Sequence, residues 1–420
     1  MDQFVIEGGA KLSGEITISG AKNSALPIIA ASLLTDKKVV LDNIPNVVDV
    51  QTMIQLIKHL GAEVNFDRNI LEIHAHKIKC IDAPYDIVRK MRASYYALGA
   101  LIAREKKAKV SLPGGCAIGP RPIDLHIKGL KALQTQIEIE DGYITARGHK
   151  LIGHKVDLQG PKGTSVGATI NIMLAATQAE GVTEITSAAC EPEVVDVANF
   201  LQALAVDISG QGTHTIVIKG KPSLNGAHYK IIPDRIEAGT FATAAVITRS
   251  KITIKQCRTQ DLTSIFYKLE EIGAVVKTDD DEIVVDGNHR MHATDIFIAP
   301  YPGFPTDMQA QFMALLSIVP GTSIIKETIF ENRFIQAMEL MRMGANITIE
   351  GDTAVVEGVE KLSGAQVMAS DLRASAALIL AGLVADGKTI VRRIYHLDRG
   401  YENFEKKLQE LGARIKRVSK

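Results

Sequence analysis

Two stretches of closely related sequence, RASYYALGALIA at residues 92–103 and RASAALILAGLVA at residues 373–385, decide the fold of this chain. Both begin with Arg-Ala-Ser and then run for about three helical turns without a charged side chain. A helix with no polar face favours burial on all sides. Because the two copies lie far apart in the chain, they indicate an architecture built from repeats.

Four further segments share this uncharged, helix-forming character, and the six copies stand at intervals of about 70 residues. The four are KNSALPIIAASLL from Lys22, TSVGATINIMLAA from Thr164, AGTFATAAVIT from Ala238 and TDMQAQFMALLSIV from Thr306. Each copy is followed by an amphipathic segment such as TMIQLIKHLGAEV or SIFYKLEEIGAVV, in which Gly is typical of a helix C-cap. Gln134 and Ala205 stand where the other copies have Gly.

Short alternating runs such as EITIS, KITIK and EIVVD lie between these helices and predict strands. The repeating unit is therefore βαβαββ, present six times. A chain of 420 residues is long enough for two domains, so three repeats in each domain is the predicted α/β architecture.

Composition narrows the function classes. The chain has 48 Lys plus Arg and 48 Asp plus Glu, so no basic field favours nucleic acid or a membrane surface as partner. The first 20 residues contain no continuous apolar stretch, which argues against a secretory signal and predicts a cytoplasmic protein. The longest apolar runs are shorter than the roughly 20 residues of a membrane span. Four cysteines without a CxxC pair predict neither a metal site nor a disulfide framework.

Polar and charged residues cluster where the uncharged helices begin. A helix N-terminus carries unpaired N–H groups and the positive end of the helix dipole, so it attracts anions. Asn, Ser, Thr and Asp at such places are equally typical of ordinary N-caps, and the sequence leaves that alternative open. Lys and Arg are not cap residues, and a cation there is unfavourable unless an anion offsets it. The cations Lys22, Arg92, Lys162 and Arg373 are therefore the better candidates for an anion site.

The segment LPGGCAIGPRPIDL at residues 112–125 predicts a loop, because its glycines and prolines fit neither a helix nor a central strand. Cys116 within it is expected to be exposed, whereas Cys80, Cys190 and Cys257 are interpreted as structural. A thiol with a pKa of about 8.5 is able to donate a proton or to attack as a thiolate, and both roles stay open. Nearby Arg121 favours the thiolate.

These motifs carry a family resemblance along the whole chain. With KGTSVGATINIMLAA, PTDMQAQFMALL, ETIFENRF, DLRASAALILAGL and HLDRGYENF, the loop resembles the UDP-N-acetylglucosamine 1-carboxyvinyltransferases, the peptidoglycan branch of the enolpyruvyl transferase family. The resemblance implies two inside-out α/β barrel domains, each of three βαβαββ repeats. It places residues 1–21 with 230–420 in one domain and 22–229, with the cysteine loop at 111–122, in the other.

The resemblance also implies a reaction. The enolpyruvyl group of phosphoenolpyruvate passes to the 3′-hydroxyl of UDP-N-acetylglucosamine by addition and elimination through a tetrahedral intermediate, and phosphate is released. Neither a metal nor an organic cofactor is implied. The epoxide fosfomycin is implied as a covalent inhibitor at Cys116.

Roles follow residue by residue from the same resemblance. Asp307 corresponds to the general base, and Cys116 to the general acid and the thiol that forms an adduct with phosphoenolpyruvate. The cations around phosphoenolpyruvate correspond to Lys22, Arg121 and Arg399. Contacts to the sugar nucleotide correspond to Asn23, Arg92, Arg121, Pro122, Ile123, Asp124, Leu125 and Ile329, with Lys162, Ser165, Val166 and Gly167 near the diphosphate. Asp371 and Arg373 correspond to further substrate-binding residues.

Three alternatives compete with this interpretation. The shikimate-pathway synthase of the same superfamily lacks a cysteine in this loop, and its GNAGTAMR signature is absent here. The other two are a non-enzymatic scaffold and an RNA-end-processing protein similar to the terminal phosphate cyclases. Balanced charge and the match at every catalytic position argue against both.

Overall fold

The computed structural model describes residues 2–89, 91–112 and 123–419. The described residues form two compact units, divided after Ser19 and after Ile232. We call residues 2–19 with 233–419 the terminal unit, and the described part of 20–232 the inserted unit. The sequence-based boundaries differ from these by a few residues. Lys230, assigned from sequence to the other domain, pairs with Asp42 inside a sheet of the inserted unit.

The strands of the described residues are short, mostly five residues long. They are β1 (Gln3–Glu7), β2 (Ser13–Thr17), β3 (Lys38–Asp42), β4 (Glu63–Asp67), β5 (Ile70–His74), β6 (Asp82–Ala83), β7 (Lys107–Ser111), β8 (Gln136–Glu140), β9 (Tyr143–Arg147), β10 (Lys155–Asp157), β11 (Val182–Thr186), β12 (Asp207–Ser209), β13 (Thr215–Lys219), β14 (Ala227–Lys230), β15 (Lys251–Lys255), β16 (Val275–Thr278), β17 (Glu282–Asp286), β18 (Ile296–Phe297), β19 (Thr322–Lys326), β20 (Asn346–Glu350), β21 (Thr353–Glu357), β22 (Gln366–Met368), β23 (Lys388–Arg392) and β24 (Arg414–Val418).

The helices alternate between uncharged and amphipathic members, as the repeat predicts. They are α1 (Lys22–Ala31), α2 (Val48–Leu60), α3 (Tyr85–Val88), α4 (Tyr96–Glu105), α5 (Asp124–Ala132), α6 (Val166–Ala176), α7 (Pro192–Ala203), α8 (Arg235–Ile247), α9 (Thr263–Ile272), α10 (Gln309–Leu316), α11 (Ile335–Arg342), α12 (Leu372–Val384) and α13 (Phe404–Glu410). Short 3₁₀ helices precede α4 at Arg92–Tyr95 and α10 at Thr306–Met308, and a longer one covers Ile394–Arg399.

The described strands form six four-stranded sheets with one shared topology. In each sheet the first two strands are parallel and the next two are antiparallel, as in the sheet β6-β7-β9-β8. Parallel neighbours need a crossover. In four of the six sheets it contains an uncharged helix: α4 between β6 and β7, α6 between β10 and β11, α10 between β18 and β19, and α12 between β22 and β23. The sixth sheet, β22-β23-β1-β24, takes its third strand from the first strand of the chain.

The two passages of the chain between the units exchange the first strands of two repeats. β2 precedes α1 in sequence, yet it pairs with β15 of the terminal unit. β14 precedes α8, yet it pairs with β3 of the inserted unit. Of the two strands, only β2 lies in a run that the alternating pattern predicts, EITIS, and the pairing shows which sheet each strand completes.

Each unit has its core around its three uncharged helices. They are α1, α4 and α6 in the inserted unit and α8, α10 and α12 in the terminal unit. Twelve of the thirteen residues of α8 are buried, so the prediction of burial on all sides is confirmed. Gly99 lets α4 and α6 approach closely, because a Cβ there would lie 2.4 Å from the backbone oxygen of Asn171.

The amphipathic helices end on left-handed residues at all six equivalent positions. Gly61, Gly273, Gly344 and Gly412 have positive φ, as a C-cap requires. Gln134 and Ala205 adopt the same conformation, with φ of 64° and 69°. The missing glycines therefore leave the local geometry intact, at the energetic cost of a non-glycine residue in the left-handed region.

Candidate active site

Asp307 is the centre of a charged cluster in the terminal unit. It lies in the 3₁₀ turn before α10 and forms two ion pairs, with Arg333 at 2.7 Å and Arg373 at 2.8 Å. The two guanidinium groups are almost fully buried, whereas 26% of the Asp307 side chain stays accessible. Asp307 and Arg373 belong to the starts of α10 and α12, so the starts of these two helices meet at this ion pair.

The arginines decide the protonation state of Asp307. Burial raises the pKa of this carboxyl, but the charges of Arg373 and Arg333 outweigh burial and hold the pKa well below its usual value. The side chain is therefore an accessible carboxylate that stays ionised throughout the neutral range. Arg373 also makes a cation–π contact, because its guanidinium lies 5.4 Å from the centre of the Tyr401 ring.

Arg333 is positioned by a chain of hydrogen bonds that ends at Glu327. Its Nη1 donates to the Thr306 hydroxyl at 3.1 Å, and that hydroxyl donates to Glu327 Oε2 at 2.7 Å. The other oxygen of Glu327 accepts from the backbone N–H groups of Ile329 at 2.8 Å and Phe330 at 3.2 Å. Glu327 is only 2% exposed, so both of its oxygens are committed to these contacts.

Asp371 and Arg399 lie on the same side of the terminal unit. Asp371 is the N-cap of α12 and accepts from the backbone N–H groups of Arg373 and Ala374 at 2.8 and 3.0 Å. Arg399 ends the 3₁₀ helix Ile394–Arg399. Burial lowers the pKa of His396, and the charge of Arg399 lowers it further while Asp371 opposes that effect. The three side chains thus share one electrostatic environment.

In the inserted unit the corresponding feature is a lysine. Lys22 is the first residue of α1, and its side chain is mostly buried. Its ammonium lies 3.3 Å from Asp49, a buried carboxylate in the first turn of α2. Asp49 supplies the anion that a cation at the positive end of the α1 dipole requires. Asn23 follows at the second position of α1.

Arg92 opens the 3₁₀ helix before α4 and acts on two neighbours. Burial, with a further contribution from Arg92, lowers the pKa of the partly accessible His126 to about 4. Burial raises the pKa of Tyr95 to about 12, and Arg92 partly offsets this. His126 Nδ1 lies 2.9 Å from Asn171 Nδ2, and Gly167 is close to the other ring nitrogen. The starts of α4 and α6 therefore meet at a neutral imidazole.

The remaining predicted residues lie near these helix starts. Ser165 caps α6 by accepting from the Ala168 N–H group at 3.3 Å, so the cap alternative holds for its hydroxyl. Val166 and Gly167 are the first residues of α6, and Lys162 lies in the exposed Gly160–Gly163 turn just before it. Ile123 precedes α5, whose first residues are Asp124 and Leu125.

Three predicted residues, Cys116, Arg121 and Pro122, lie outside the described residues. The described cysteines are Cys80, which is half-buried, and Cys190 and Cys257, which are buried. Burial raises the pKa of Cys190, and it raises that of Cys257 to about 12 with help from Asp281 and Glu282. Both thiols are therefore poor nucleophiles at neutral pH.

Sequence reasoning missed Asp49, Glu327, Arg333 and Tyr401 as parts of the site. Glu327 and Arg333 stand at the two sides of Ile329 in the motif ETIFENRF, and Tyr401 follows Arg399 in HLDRGYENF. Glu327 and Arg333 could have been suspected, because their charges are not explained by the pattern of a helix or a helix cap. Asp49 carried no such signal, because an acid in the first turn of a helix is ordinary.

Comparison with known proteins shows the family to which this chain belongs. Residues 6–408 match the family model described as EPSP synthase (3-phosphoshikimate 1-carboxyvinyltransferase). Proteins called UDP-N-acetylglucosamine 1-carboxyvinyltransferase are 53% identical in Carboxydothermus hydrogenoformans, over all of both chains, and 51% identical in Yersinia pestis, over 100% of this chain and 99% of the relative. The chain belongs to the UDP-N-acetylglucosamine 1-carboxyvinyltransferase family.

Solved structures support the fold. The enolpyruvyl transferase NikO from Streptomyces tendae matches with a TM-score of 0.91 and 25% identity, over 100% of this chain and 99% of that one. EPSP synthase from Acinetobacter baumannii matches over both whole chains with a TM-score of 0.78, but at 19% identity it shows the fold alone. The protein thus has the predicted enolpyruvyl transferase fold, two inside-out α/β barrels of three repeats each.

None of the helices in residues 2–89, 91–112 and 123–419 is long and apolar enough to cross a membrane. Within the same residues, no three His, Cys, Asp or Glu side chains are grouped so that they would hold a metal ion.

Proposed function

We propose that this protein transfers the enolpyruvyl group of phosphoenolpyruvate to the 3′-hydroxyl of UDP-N-acetylglucosamine, the committing reaction of peptidoglycan synthesis. The observation that carries the proposal is the accessible, ionised carboxylate of Asp307 between Arg333 and Arg373. Its position at the start of an uncharged helix is where the family resemblance expects the general base. The substrate names come from relatives that are 51–53% identical over their full length.

The reaction needs a proton removed from oxygen and a proton delivered to carbon. In the addition step the sugar oxygen bonds to C2 of phosphoenolpyruvate while the methylene carbon gains a proton and becomes a methyl group. In the elimination step the bond from C2 to the phosphate oxygen breaks and the methyl group loses a proton. Atoms balance without a metal or an organic cofactor.

Asp307 is the proposed acceptor of the hydroxyl proton. Its lowered pKa keeps the carboxylate ready, but it also makes the group a weak base while both guanidinium groups bind it. An anionic substrate group that draws one guanidinium away would raise the proton affinity of Asp307 when the sugar hydroxyl arrives. Substrate binding and activation of the base are thereby linked.

Lys22, Arg121 and Arg399 are the proposed cations for the phosphate and carboxylate of phosphoenolpyruvate. Lys22 reinforces the positive end of the α1 dipole, a combination that suits an anion. Arg399 lies in the 3₁₀ helix that follows α12 and β23 in the chain, and its charge acts on His396 in the same 3₁₀ helix. Preorganised charge of this kind stabilises a transition state in which negative charge moves between two oxygens.

Most of the proposed sugar-nucleotide contacts lie at or just before the starts of α1, α4, α5, α6 and α12. They are Asn23, Arg92, Arg121, Pro122, Ile123, Asp124, Leu125, Lys162, Ser165, Val166, Gly167 and Ile329, with Asp371 and Arg373 as further contacts. The turn containing Lys162 and the first N–H groups of α6 suit the diphosphate. Cytoplasmic localisation remains a prediction from the sequence.

A coupled assay tests the reaction. Phosphate release should require both phosphoenolpyruvate and UDP-N-acetylglucosamine, and it should be absent with either substrate alone. Shikimate 3-phosphate in place of the sugar nucleotide is the control, because it is the acceptor of the rival synthase. An equal rate with shikimate 3-phosphate would overturn the proposal.

Cys116 is the proposed proton donor to the methylene carbon and the proposed target of fosfomycin. Opening of the epoxide by the thiolate forms a C–S bond, and the ring oxygen becomes a hydroxyl after it takes up a proton. Peptide mass spectrometry should find the adduct on Cys116 and not on Cys190 or Cys257, whose pKa values are raised. A Cys116→Ser variant that still gains the adduct mass would contradict this assignment.

A further inference from the structure

The strongest feature that the proposed roles leave unused is the buried carboxylate of Glu327. It lies immediately after β19, is 2% exposed, and belongs to no ion pair among the described residues. A buried carboxylate without a cationic partner is costly, so its hydrogen bonds must compensate. Three donors do so: the Thr306 hydroxyl and the backbone N–H groups of Ile329 and Phe330.

These three donors lie on two different parts of the site. Thr306 directly precedes the proposed base Asp307, and its oxygen also accepts from Arg333, which holds Asp307. Ile329 belongs to the proposed contacts with the sugar nucleotide. One carboxylate therefore joins the turn that carries the base to the segment proposed to meet the substrate.

The direction of the hydrogen bonds determines how Glu327 orients Thr306 and Arg333. A carboxylate accepts only, so Glu327 forces the Thr306 hydroxyl to point its proton at Oε2. The lone pairs of that hydroxyl are then turned towards Arg333 Nη1 at 3.1 Å. Arg333 in turn donates from Nη2 to Asp307 Oδ1 at 2.7 Å. Arg333 therefore donates in both directions, to Asp307 at one end and, through the Thr306 hydroxyl, towards Glu327 at the other.

We infer that Glu327 is a positioning residue that couples the proposed sugar-nucleotide contact at Ile329 to the orientation of Asp307. The inference rests on the proposed function, because it assigns that substrate to the Ile329 segment. Displacement of Ile329 by the arriving substrate is transmitted through Glu327 Oε1 and Oε2 to Thr306 and Arg333. Glu327 itself touches neither the reacting atoms nor the substrate.

Two substitutions at Glu327 separate its two oxygens. Glu327→Gln keeps an oxygen for the N–H groups of Ile329 and Phe330 but places an NH₂ group against Thr306. The hydroxyl of Thr306 then loses its acceptor, and the NH₂ group competes with Arg333 for the lone pairs. Glu327→Ala removes both links and leaves the two backbone N–H groups unpaired.

The inference predicts different kinetic patterns for the two variants. Glu327→Gln should lower kcat roughly 10- to 100-fold, because a small misplacement of a catalytic group has an effect of this size, with little change in the KM for UDP-N-acetylglucosamine. Glu327→Ala should lower kcat similarly and also raise that KM by at least about fivefold. Thermal unfolding of each variant checks that the fold is retained.

Thr306 provides the independent test. Thr306→Val removes the hydroxyl at nearly constant shape and should reproduce the kcat loss of Glu327→Gln, while Thr306→Ser should restore most of the rate. The double variant Thr306→Val with Glu327→Gln should be little worse than either single one, since both break one chain. Glu339→Gln is the matched control, because Glu339 also accepts a backbone N–H group, from Met368 at 3.1 Å, but lies outside the chain to Asp307.

The outcomes distinguish failure of the proposed function from failure of the coupling through Glu327. Wild-type protein without phosphate release would remove the proposed function and the coupling with it. Active wild-type protein, with Glu327→Gln and Thr306→Val both at wild-type kcat, would overturn the coupling alone. A kcat loss that Thr306→Ser does not restore, or that Glu339→Gln shares, would show a general structural effect and would also overturn it.

Discussion

The two units build the same helix frame but have different ion pairs at the starts of their helices. In the terminal unit a carboxylate, Asp307, is held by two arginines at 2.7 and 2.8 Å. In the inserted unit a cation, Lys22, is held by one carboxylate, Asp49, at 3.3 Å. The first arrangement keeps a base ionised, and the second keeps a buried cation in place for an anion. The repeat therefore determines where the helices lie, and the charged side chains at their starts determine what each unit is able to do chemically.

The largest expected effect comes from removing the carboxylate of the terminal unit. Asp307→Asn should lower kcat at least about 100-fold, because general-base catalysis contributes about 10²- to 10⁴-fold. The substitution also leaves Arg333 and Arg373 buried without a counter-charge, which should cost about 3–5 kcal/mol of stability. Steady-state phosphate release and calorimetric unfolding measure the two effects.

Binding separates catalysis from folding in this variant. UDP-N-acetylglucosamine should still bind Asp307→Asn measurably by titration calorimetry, since most proposed contacts to it lie on other residues. Turnover close to that of the wild type would remove Asp307 from the role of base and would end the contrast between the two units.

Next in size is the effect of removing one arginine from the pair. In Arg333→Met, one of the two charges that outweigh burial is lost, so the pKa of Asp307 should rise. A higher pKa means that Asp307 is protonated at a higher pH, so the acid limb of the kcat profile should move towards neutral pH. The rate of the wild-type protein should show no limb from Asp307 near pH 5, because its pKa lies well below 3.8.

An exposed arginine of the neighbouring helix provides the control for this profile. Arg342→Met removes a side chain whose Nε donates to the backbone oxygen of Gln366 and which lies away from Asp307. Its pH profile should follow that of the wild type. Profiles of Arg333→Met and Arg342→Met that coincide would mean that Arg333 does not set the protonation of the base.

A smaller effect is expected from the carboxylate of the inserted unit. Asp49→Asn removes the carboxylate that lies 3.3 Å from the mostly buried Lys22 ammonium, so the ammonium is held less firmly at the start of α1. The KM for phosphoenolpyruvate should rise about 5- to 10-fold, with a smaller change in kcat. Asp42→Asn, which alters the exposed contact to His228, is the matched control. A fall in KM would instead show that Asp49 competes with the substrate for Lys22.

The sequence predicts the positions of the helices better than it predicts the contacts between their charged side chains. Repetition exposed the frame, because an uncharged helix must be buried wherever it recurs. Repetition also pointed to Lys22 and Arg373, because cations are unusual at helix starts, whereas Asp307 came from the family resemblance; the roles of these residues stay predictions. It did not find Arg333 or Glu327, because their roles depend on contacts between elements that are distant in sequence. Repetition also did not show that β2 and β14 are exchanged between the units, because the residue pattern of a single strand does not determine its pairing partner.

The ends of the amphipathic helices extend the comparison from catalysis to stability. All three in the terminal unit end on glycine, at Gly273, Gly344 and Gly412. In the inserted unit only Gly61 does so, while Gln134 and Ala205 take the same left-handed conformation. A residue with a Cβ is strained there by about 1–2 kcal/mol. The inserted unit therefore carries local strain that the terminal unit avoids.

The smallest predicted effect reverses this difference. Ala205→Gly should stabilise the inserted unit by about 0.5 kcal/mol, because relief of strain exceeds the added freedom of the unfolded chain. The melting temperature should rise by roughly 1–2 °C in calorimetry. Gly344→Ala in the terminal unit is the matched opposite: its Cβ would meet nothing within 4 Å, so the loss of about 1 kcal/mol isolates the backbone term. If Ala205→Gly lowered the melting temperature while Gly344→Ala also lowered it, contacts of the Ala205 methyl group would outweigh backbone strain, and the inserted unit would hold this helix end by packing instead of by glycine.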